Sequence, residues 1–397
     1  MSKPKILDLI KNAPVEWLTL GELGTITRGN GLQKKDFKKS GFPAIHYGQI
    51  YTHYNLDAKD TIAFVSEDLA KRLRTARKND LLFATTSETD EDVVKPLAWL
   101  GDDVAISGDM MFLRHEQNVK YLAYYFQTNA FYNQKRKHIT GTKVRRISRD
   151  NLGKIHIPIP SLDIQKEIVR ILDTMTALNS ELSSELNSEL TRRQTQYDHY
   201  RELLLTFTPN QTIWKSLNEV AIIGTGNRNT NEAIAGGKYP FYVRSQMIRQ
   251  INNYEFDEEA IITAGDGVGV GKIFHYATGK YNLHQRAYRI VVADTQILSS
   301  KFLYYFFASN FYQYIAKTSV HASVTSLRKP MFENYQIPLP SLEEQTRIVA
   351  ILDKFDALTT SIREDLSREI ELRRKQYEYY RELLLDFPRP EQQSLSS

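Results

Sequence analysis

The chain has 397 residues, which at roughly 150 residues per domain implies two to three domains rather than one core. Its composition is that of an ordinary folded protein, and the absence of cysteine excludes disulfide frameworks, thiolate zinc sites, iron–sulfur clusters and thiol nucleophiles together. The net charge of +5 decides nothing until it is divided along the chain.

The first residues, Met1-Ser2-Lys3-Pro4-Lys5-Ile6-Leu7-Asp8, place charge where a secretory signal needs an apolar core. No run of about 18 apolar residues follows anywhere, so a cytoplasmic protein that makes no membrane contact is expected. Residues 1–154 carry short apolar or β-branched runs between turn signals, among them Ile45-His46-Tyr47, Leu81-Leu82-Phe83-Ala84, Val104-Ala105-Ile106 and Met111-Phe112-Leu113. An aromatic-rich helical pattern closes that region over 119–135. Residues 155–207 begin with Ile157-Pro158-Ile159-Pro160-Ser161-Leu162, which places Ser161 at an N-cap. Apolar or aromatic residues then recur at steps of three and four from Ile168 to Leu204, the pattern of one long helix.

The sequence then starts again. Residues 208–334 repeat the strand-like pattern, with Tyr239-Pro240-Phe241-Tyr242, Ala260-Ile261-Ile262, Lys272-Ile273-Phe274 and Tyr288-Arg289-Ile290-Val291-Val292, and a second aromatic helical stretch covers 299–316. Residues 335–387 repeat the long helix, here with a capping box of Ser341 and Glu344. At an offset of 180 residues, 155–207 and 335–387 share 25 identities in 53 positions without a gap. The same offset places Tyr124-Tyr125-Phe126 over Tyr304-Tyr305-Phe306. The fronts correspond at an offset of 197, Trp17, Leu20 and Glu22 falling on Trp214, Leu217 and Glu219, so the first copy is 17 residues longer in its middle. Such a period is too long for a solenoid and denotes two duplicated domains.

Each helix, at about 45 residues, should span roughly 65–70 Å. Nothing else in the chain is long enough to cover a stripe of about six heptads, so the two helices are expected to pair with each other. Chain order makes the pair antiparallel. The expected fold is α+β: mixed β-rich domains over 1–154 and 208–334, separated by helices over 155–207 and 335–387 that form an antiparallel coiled coil, with a pseudo-twofold internal repeat and a tail over 388–397.

Divided at those boundaries, the charge is +7 and +4 on the globular regions and −3 on each helix. Two basic domains on an acidic rod suit two contacts with one polyanion and leave the rod for protein partners. Candidate contacts lie in polar, basic, turn-rich stretches: Arg28-Gly29-Asn30 onward to Lys34 and Lys35, then Tyr47, Gln49 and Tyr51, then Thr86, then Lys143, Arg145 and Arg146. In the second copy they are Arg228, Arg244, Gln246, His284, Arg286, Ser323, Thr325 and Arg328. Arg, Gln, Asn, Ser and Thr suit base edges, whereas Lys and backbone amides suit phosphates. A plain hairpin or capping turn explains each glycine-containing stretch equally well.

Other chemistry is not supported. Gly265-Asp266-Gly267-Val268-Gly269-Val270-Gly271-Lys272 has Asp266 where a P-loop needs Gly and Ile273 where it needs Ser or Thr, so it reads as a turn between strands. The histidines lack metal-ligand spacing, and the acidic run Glu88-Thr89-Asp90-Glu91-Asp92 reads as a solvated loop. With no methylase motif, glycine-rich cofactor loop or nuclease carboxylate–lysine set, the chain is expected to be non-catalytic.

The duplicated block of Gly141-Thr142-Lys143-Val144-Arg145-Arg146-Ile147, Ile157-Pro158-Ile159-Pro160-Ser161-Leu162, Gln165, Ile168 and Ile171-Leu172-Asp173 resembles the specificity (S) subunit of type I restriction-modification systems. Trp17-Leu18-Thr19-Leu20-Gly21-Glu22, His46-Tyr47-Gly48-Gln49-Ile50-Tyr51 and Gly279-Lys280-Tyr281-Asn282-Leu283-His284-Gln285-Arg286 are similar to its target-recognition domains, and Gln345 repeats Gln165. The second copy departs in having His321-Ala322-Ser323-Val324 for Gly141-Thr142-Lys143-Val144. The resemblance implies that each globular domain reads half of a bipartite double-stranded DNA target, while the helices act as spacer and as docking surface for two methyltransferase (M) subunits. Those subunits would use S-adenosylmethionine to methylate adenine at N6. Restriction (R) subunits would use ATP and Mg²⁺, and no cofactor belongs to this chain. Half-sites on one duplex face lie about 34 Å apart or a multiple of it, and two unlike domains imply an asymmetric target. A stand-alone DNA-binding regulator or a coiled-coil scaffold would share the architecture, but the first would need no partner subunits and the second would bind no DNA.

Overall fold

A computed structural model describes residues 13–210, 212–318 and 326–389. Ser323 and Thr325 lie outside the described residues. The chain divides into two compact units, residues 1–184 with 368–397, and residues 185–367, so each takes half of both long helices.

In the first unit the strand Val15–Thr19 pairs antiparallel with His156–Pro160, Trp17 opposite Pro158. Two prolines are tolerated in one strand because they occupy alternate positions whose amides point away from the partner. The amide of His156, on that same side, donates to Gln134 Oε1 at 3.1 Å. A five-stranded sheet follows in the order Thr25–Arg28, Met110–Arg114, Leu81–Ala84, Lys95–Trp99, Asp57–Ala58. A four-stranded sheet runs Ala63–Val65, Phe42–Ile45, Val104–Ile106, Thr75–Ala76, with Phe42–Ile45 and Val104–Ile106 parallel. Leu81–Ala84 is buried on both faces, which is why its sequence is continuously apolar. One core packs Leu81, Phe83 and Leu113 of the five-stranded sheet on helix Val119–Tyr125, on Ile168 and Leu172 of the first long helix, and on Leu384, Leu385 and Phe387 at the end of the second, while Leu82, Ala84 and Phe112 on the sheet's other face pack on Ile45, Val104 and Ile106 of the four-stranded sheet.

The second unit repeats the plan. Ile213–Ser216 pairs with Gln336–Leu339, Trp214 opposite Pro338. One sheet runs Ala221–Thr225, Ala287–Val292, Ala260–Ala264, Phe274–Ala277, and another Arg249–Ile251, Tyr239–Tyr242, Lys280–Leu283, Phe256–Asp257. The glycine-rich stretch connects Ala260–Ala264 to its antiparallel neighbour Phe274–Ala277, a turn between strands as its sequence implied. The aromatic stretch is one helix here, Ser300–Thr318. In the first unit it breaks into Val119–Tyr125 and Asn129–Lys135, because Thr128 caps the second piece by accepting from Phe131 N.

The long helices are Leu162–Leu204 and Leu342–Leu384, 43 residues each, about 65 Å at 1.5 Å per residue. They pair antiparallel, and each unit holds half of the pairing. In the first, Tyr377 lies beside Thr176. In the second, the Tyr197 and Tyr200 rings pack on Phe355 at 6.0 and 5.5 Å. The apolar stripe is not continuously covered, since Leu178 and Leu358, equivalent in the repeat, are each 58% exposed. Only half of the expected capping box forms: Glu344 N donates to Ser341 Oγ, but the Glu344 carboxylate turns to Arg347 at 2.6 Å.

The shared sequence block builds a joint between globular domain and helix. Gln165, fully buried, donates to Pro160 O and Gln117 Oε1, both at 2.8 Å, and accepts from Asn118 N at 3.0 Å. Gln345, equally buried, donates to Pro340 O and Ile297 O, both at 2.9 Å, and accepts from Ser299 N at 2.8 Å. Asp173 takes Lys120 at 2.8 Å and Tyr124 Oη at 2.7 Å, and Asp353 takes Lys301 at 2.9 Å and Tyr305 Oη at 2.6 Å. Tyr124 therefore corresponds to Tyr305, one residue beyond the uniform offset read from sequence. The stacked pairs Phe126–Phe131 and Phe307–Phe311 bring the count back, so the helix break at Thr128 absorbs the extra residue.

Candidate nucleic-acid interface

In the first unit four arginines converge on one open cavity of about 560 Å³: Arg28, Arg74, Arg146 and Arg149, with Thr25, Thr27, Thr86 and Ser148 between them. Arg28 ends its strand because Gly29 must follow, a Cβ there lying 2.2 Å from Ser107 O. Gly226 meets the same limit against Leu283 O at 2.0 Å. Arg28 Nε donates to Gly108 O at 2.7 Å, and its guanidinium lies 3.7 Å from Asp109. Arg74 is held by Arg28 O at 2.7 Å, and Arg149 opens the short helix Arg149–Leu152. Arg146 sits on the two-residue strand Arg145–Arg146 opposite Thr86, its side chain exposed and without a bonded partner among the described residues. Arg74 and Arg149 escaped the sequence reading. The one signal was that Arg149 falls on Lys329 in the repeat, a cation in both copies.

The other first-unit candidates divide by what already holds them. Lys34, Lys35 and Lys143 are exposed and have no side-chain hydrogen bond or ion pair among the described residues. Tyr47, Gln49 and Tyr51 lie on the short helix Tyr47–Thr52 rather than on a turn. Gln49 Oε1 accepts from His46 N at 2.8 Å as part of that helix's cap. Tyr51 Oη donates to Thr86 O at 2.9 Å, and burial pushes the phenol pKa above its ordinary value. Thr86 is buried, with Oγ1 3.3 Å from Asp109 Oδ1. Arg145 turns to Asp90 at 3.0 Å and Gly141 O at 2.6 Å.

The acidic run is braced rather than simply solvated. Besides Asp90 with Arg145, Lys135 Nζ donates to Glu91 O at 2.6 Å and Val93 O at 2.5 Å, and Tyr132 Oη donates to Glu91 at 3.1 Å. Lys135 is 3% exposed. Burial lowers its pKa to about 8 against the opposing pull of Asp92, Glu91 and Asp90.

In the second unit Thr86 is replaced, in ladder register, by Asp266. Thr85 N donates to Asp109 O at 2.9 Å, and Gly265 N donates to Arg286 O at 2.9 Å. Asp266 also bridges to Ser326 as Thr86 pairs with Arg146. The Asp266 carboxylate is shared by Arg244, in direct contact, and Arg286 at 3.1 Å. Partial burial pushes this carboxyl up, and the two arginines outweigh it, leaving it below the ordinary range. His284 is buried, and its Nδ1 accepts from Arg286 N at 3.0 Å. Burial first, then Arg244, lowers its pKa, so it acts as a neutral turn lock. Arg228 pairs with Glu232 at 3.1 Å, and Arg328 is exposed at the start of helix Lys329–Glu333. Gln246 stands apart, lining a cavity of about 430 Å³ with Arg201, Tyr304, Asp356 and Arg363. Among the described residues no group of His, Asp or Glu is arranged to hold a metal, and no helix is long and apolar enough to cross a membrane.

The profile of a family described as the type I restriction modification DNA specificity domain matches residues 12–192 and again 213–372. The type I restriction enzyme EcoR124I/EcoR124II specificity subunit of Escherichia coli is 32% identical over 424 aligned positions, covering 98% of this chain and 99% of that protein. A putative type I restriction enzyme specificity subunit of Haemophilus influenzae, S.HindORF215P, is 35% identical over 272 positions, covering 63% and 68%. Among solved structures, a chain from a study of complex assembly and conformational transition of the type I R-M system superposes with a TM-score of 0.66 at 17% identity, over 94% of this chain and 98% of that one. The HsdS subunit from Thermoanaerobacter tengcongensis gives 0.56 at 16%, over 94% and 95%. At such identities the likeness is one of fold.

Proposed function

The chain belongs to the type I restriction-modification specificity subunits, and on that premise we propose that its two units each read one half of a bipartite, asymmetric DNA target. The observation that carries this reading is the pair of equivalent edges. The same ladder register presents Thr86 and Asp109 beside Arg28 and Arg146 in one unit, and Asp266 and Arg286 beside Arg244 in the other. Arginine and hydroxyl groups in an open cavity suit both phosphate positioning and base-edge hydrogen bonds. Unlike side chains on one frame imply unlike half-sites.

The chain acts in the cytoplasm as the non-catalytic member of its complex. Two methyltransferase subunits dock on the paired helices, and the equivalent exposed Leu178 and Leu358 give each copy the same apolar foothold. S-adenosylmethionine belongs to those subunits, and ATP and Mg²⁺ to the restriction subunits. The reading is tested by mapping methylated adenines in cells expressing this chain with its methyltransferase partners. A motif of two unlike halves separated by unspecified bases is expected, and a contiguous or palindromic motif, or none, overturns it. Gel shifts with and without the methyltransferase separate this role from that of a stand-alone regulator, which would bind its site tightly alone.

A further inference from the structure

The loop after strand Ala260–Ala264 ends in a side chain that the fold does not use. Val268 is 99% exposed. It is held outward by glycine on both sides: Gly267 has φ of +83°, and a Cβ on Gly269 would lie 2.4 Å from the Ile273 side chain. The root of the loop is fixed, because Gly265 N donates to Arg286 O and Leu327 N to Gly265 O at 2.9 and 2.7 Å, and Asp266 is gripped by Arg244 and Arg286. A loop anchored at its root thus presents one apolar side chain two residues beyond a paired-arginine edge. Isolated exposed valines are common on protein surfaces and need no explanation. This one is distinguished by its place, two residues beyond the carboxylate that Arg244 and Arg286 share.

Whatever the arginines approach must present an apolar group beside anionic or acceptor groups. A DNA major groove does so at a single chemical feature, the 5-methyl of thymine, which lies among base-edge acceptors and is absent from the minor groove. Insertion between base pairs is a poorer fit, since kinking wedges are drawn from longer or flatter side chains than valine. Counting from Thr86, the corresponding position of the first unit is Glu88, a hydrogen-bond acceptor, so the two loop tips present opposite chemistry. We infer that Val268 is a specificity-determining residue of the second unit that packs on a thymine methyl in the major groove of its half-site. This deepens the DNA-reading assignment above and rests on it.

The test uses the full chain in complex with its methyltransferase subunits, on target duplexes whose second-half thymines are replaced one at a time by deoxyuridine, which lacks only the methyl. One replacement should weaken binding by about four-fold, the equivalent of one buried methyl group. V268A should bind the thymine duplex more weakly and should no longer distinguish thymine from deoxyuridine there. Replacements in the first half-site should be silent to V268A. A second half-site without an A·T pair, uniform indifference to deoxyuridine, or retained discrimination in V268A overturns the inference while leaving target-specific binding intact. Loss of target-specific, salt-dependent binding by the unsubstituted complex would instead overturn the DNA-reading assignment and this inference with it.

Discussion

The two units agree where they touch the helices and disagree where they face outward. Gln165 and Gln345 make the same three-way joint, and Asp173 and Asp353 take the same lysine–tyrosine pair. At the open edge, Thr86 corresponds to Asp266, Asp109 to Arg286 and Glu88 to Val268. Behind that edge the buried Lys135 is replaced by the buried Ile315. The repeated sequence block is therefore a mounting, and the variable edge can change without disturbing it. Shared motifs in this chain report where the domains are held and say little about the chemistry of their open edges.

The comparison is broken most directly at the mounting. Gln165→Ala leaves Asn118 N and Pro160 O buried without partners, and Gln345→Ala does the same to Ser299 N and Pro340 O. At about 1–3 kcal/mol for each group left unpaired, either change should cost its own unit roughly 2–6 kcal/mol. Hydrogen exchange resolved by unit should find the two losses alike, and a marked inequality would mean that the joints are not equivalent.

Next in size is the pH response of Lys135. Its folded pKa of about 8 lies below the ordinary 10.5, so the unfolded chain holds the proton across that window. The burden on the first unit is complete below pH 8, and stability should rise, by of order 3 kcal/mol, as pH climbs toward 10.5. Denaturant titrations should find this rise in the first unit, find none from Ile315 in the second, and lose it in Lys135→Met.

The smallest effects belong to the edges. Arg146→Ala should weaken binding of the whole complex about ten-fold, with the salt slope falling by about one and discrimination at the second half-site unchanged. Asp266→Asn should do the reverse. By releasing Arg244 and Arg286 it should tighten binding to non-target duplex a few-fold and steepen its salt dependence. Opposite responses would sharpen the contrast between the unpaired Arg146 and the restrained Arg244 and Arg286.

Much of the mounting was legible in the sequence because helix periodicity and exact repetition survive without knowledge of neighbours. The helices Leu162–Leu204 and Leu342–Leu384 fall where the steps of three and four place them. Charge by segment also marked the globular regions as the basic ones. Side-chain direction was not legible. Arg145, Gln49 and Tyr51 have suitable chemistry, yet Asp90, the His46 amide and the Thr86 carbonyl hold them, partners set by pairings across the fold. Arg74 joins the cavity from the residue preceding strand Thr75–Ala76, distant in sequence from Arg146, a convergence that no local spacing reveals. The helix Tyr47–Thr52 was missed because its cap is His46, outside the usual capping residues.

The first unit's core includes Leu384, Leu385 and Phe387, and Trp17 Nε1 donates to Pro388 O at 3.0 Å. On the ribosome, the half that emerges first is consequently the half that closes last. About 200 residues separate its early segment from its closing one, which at 5–20 residues per second is a wait of about 10–40 s. The second unit is translated entirely within that wait. A nascent chain halted between residues 367 and 384 would carry the whole of the second unit and a first one whose hydrophobic face is still open to chaperones.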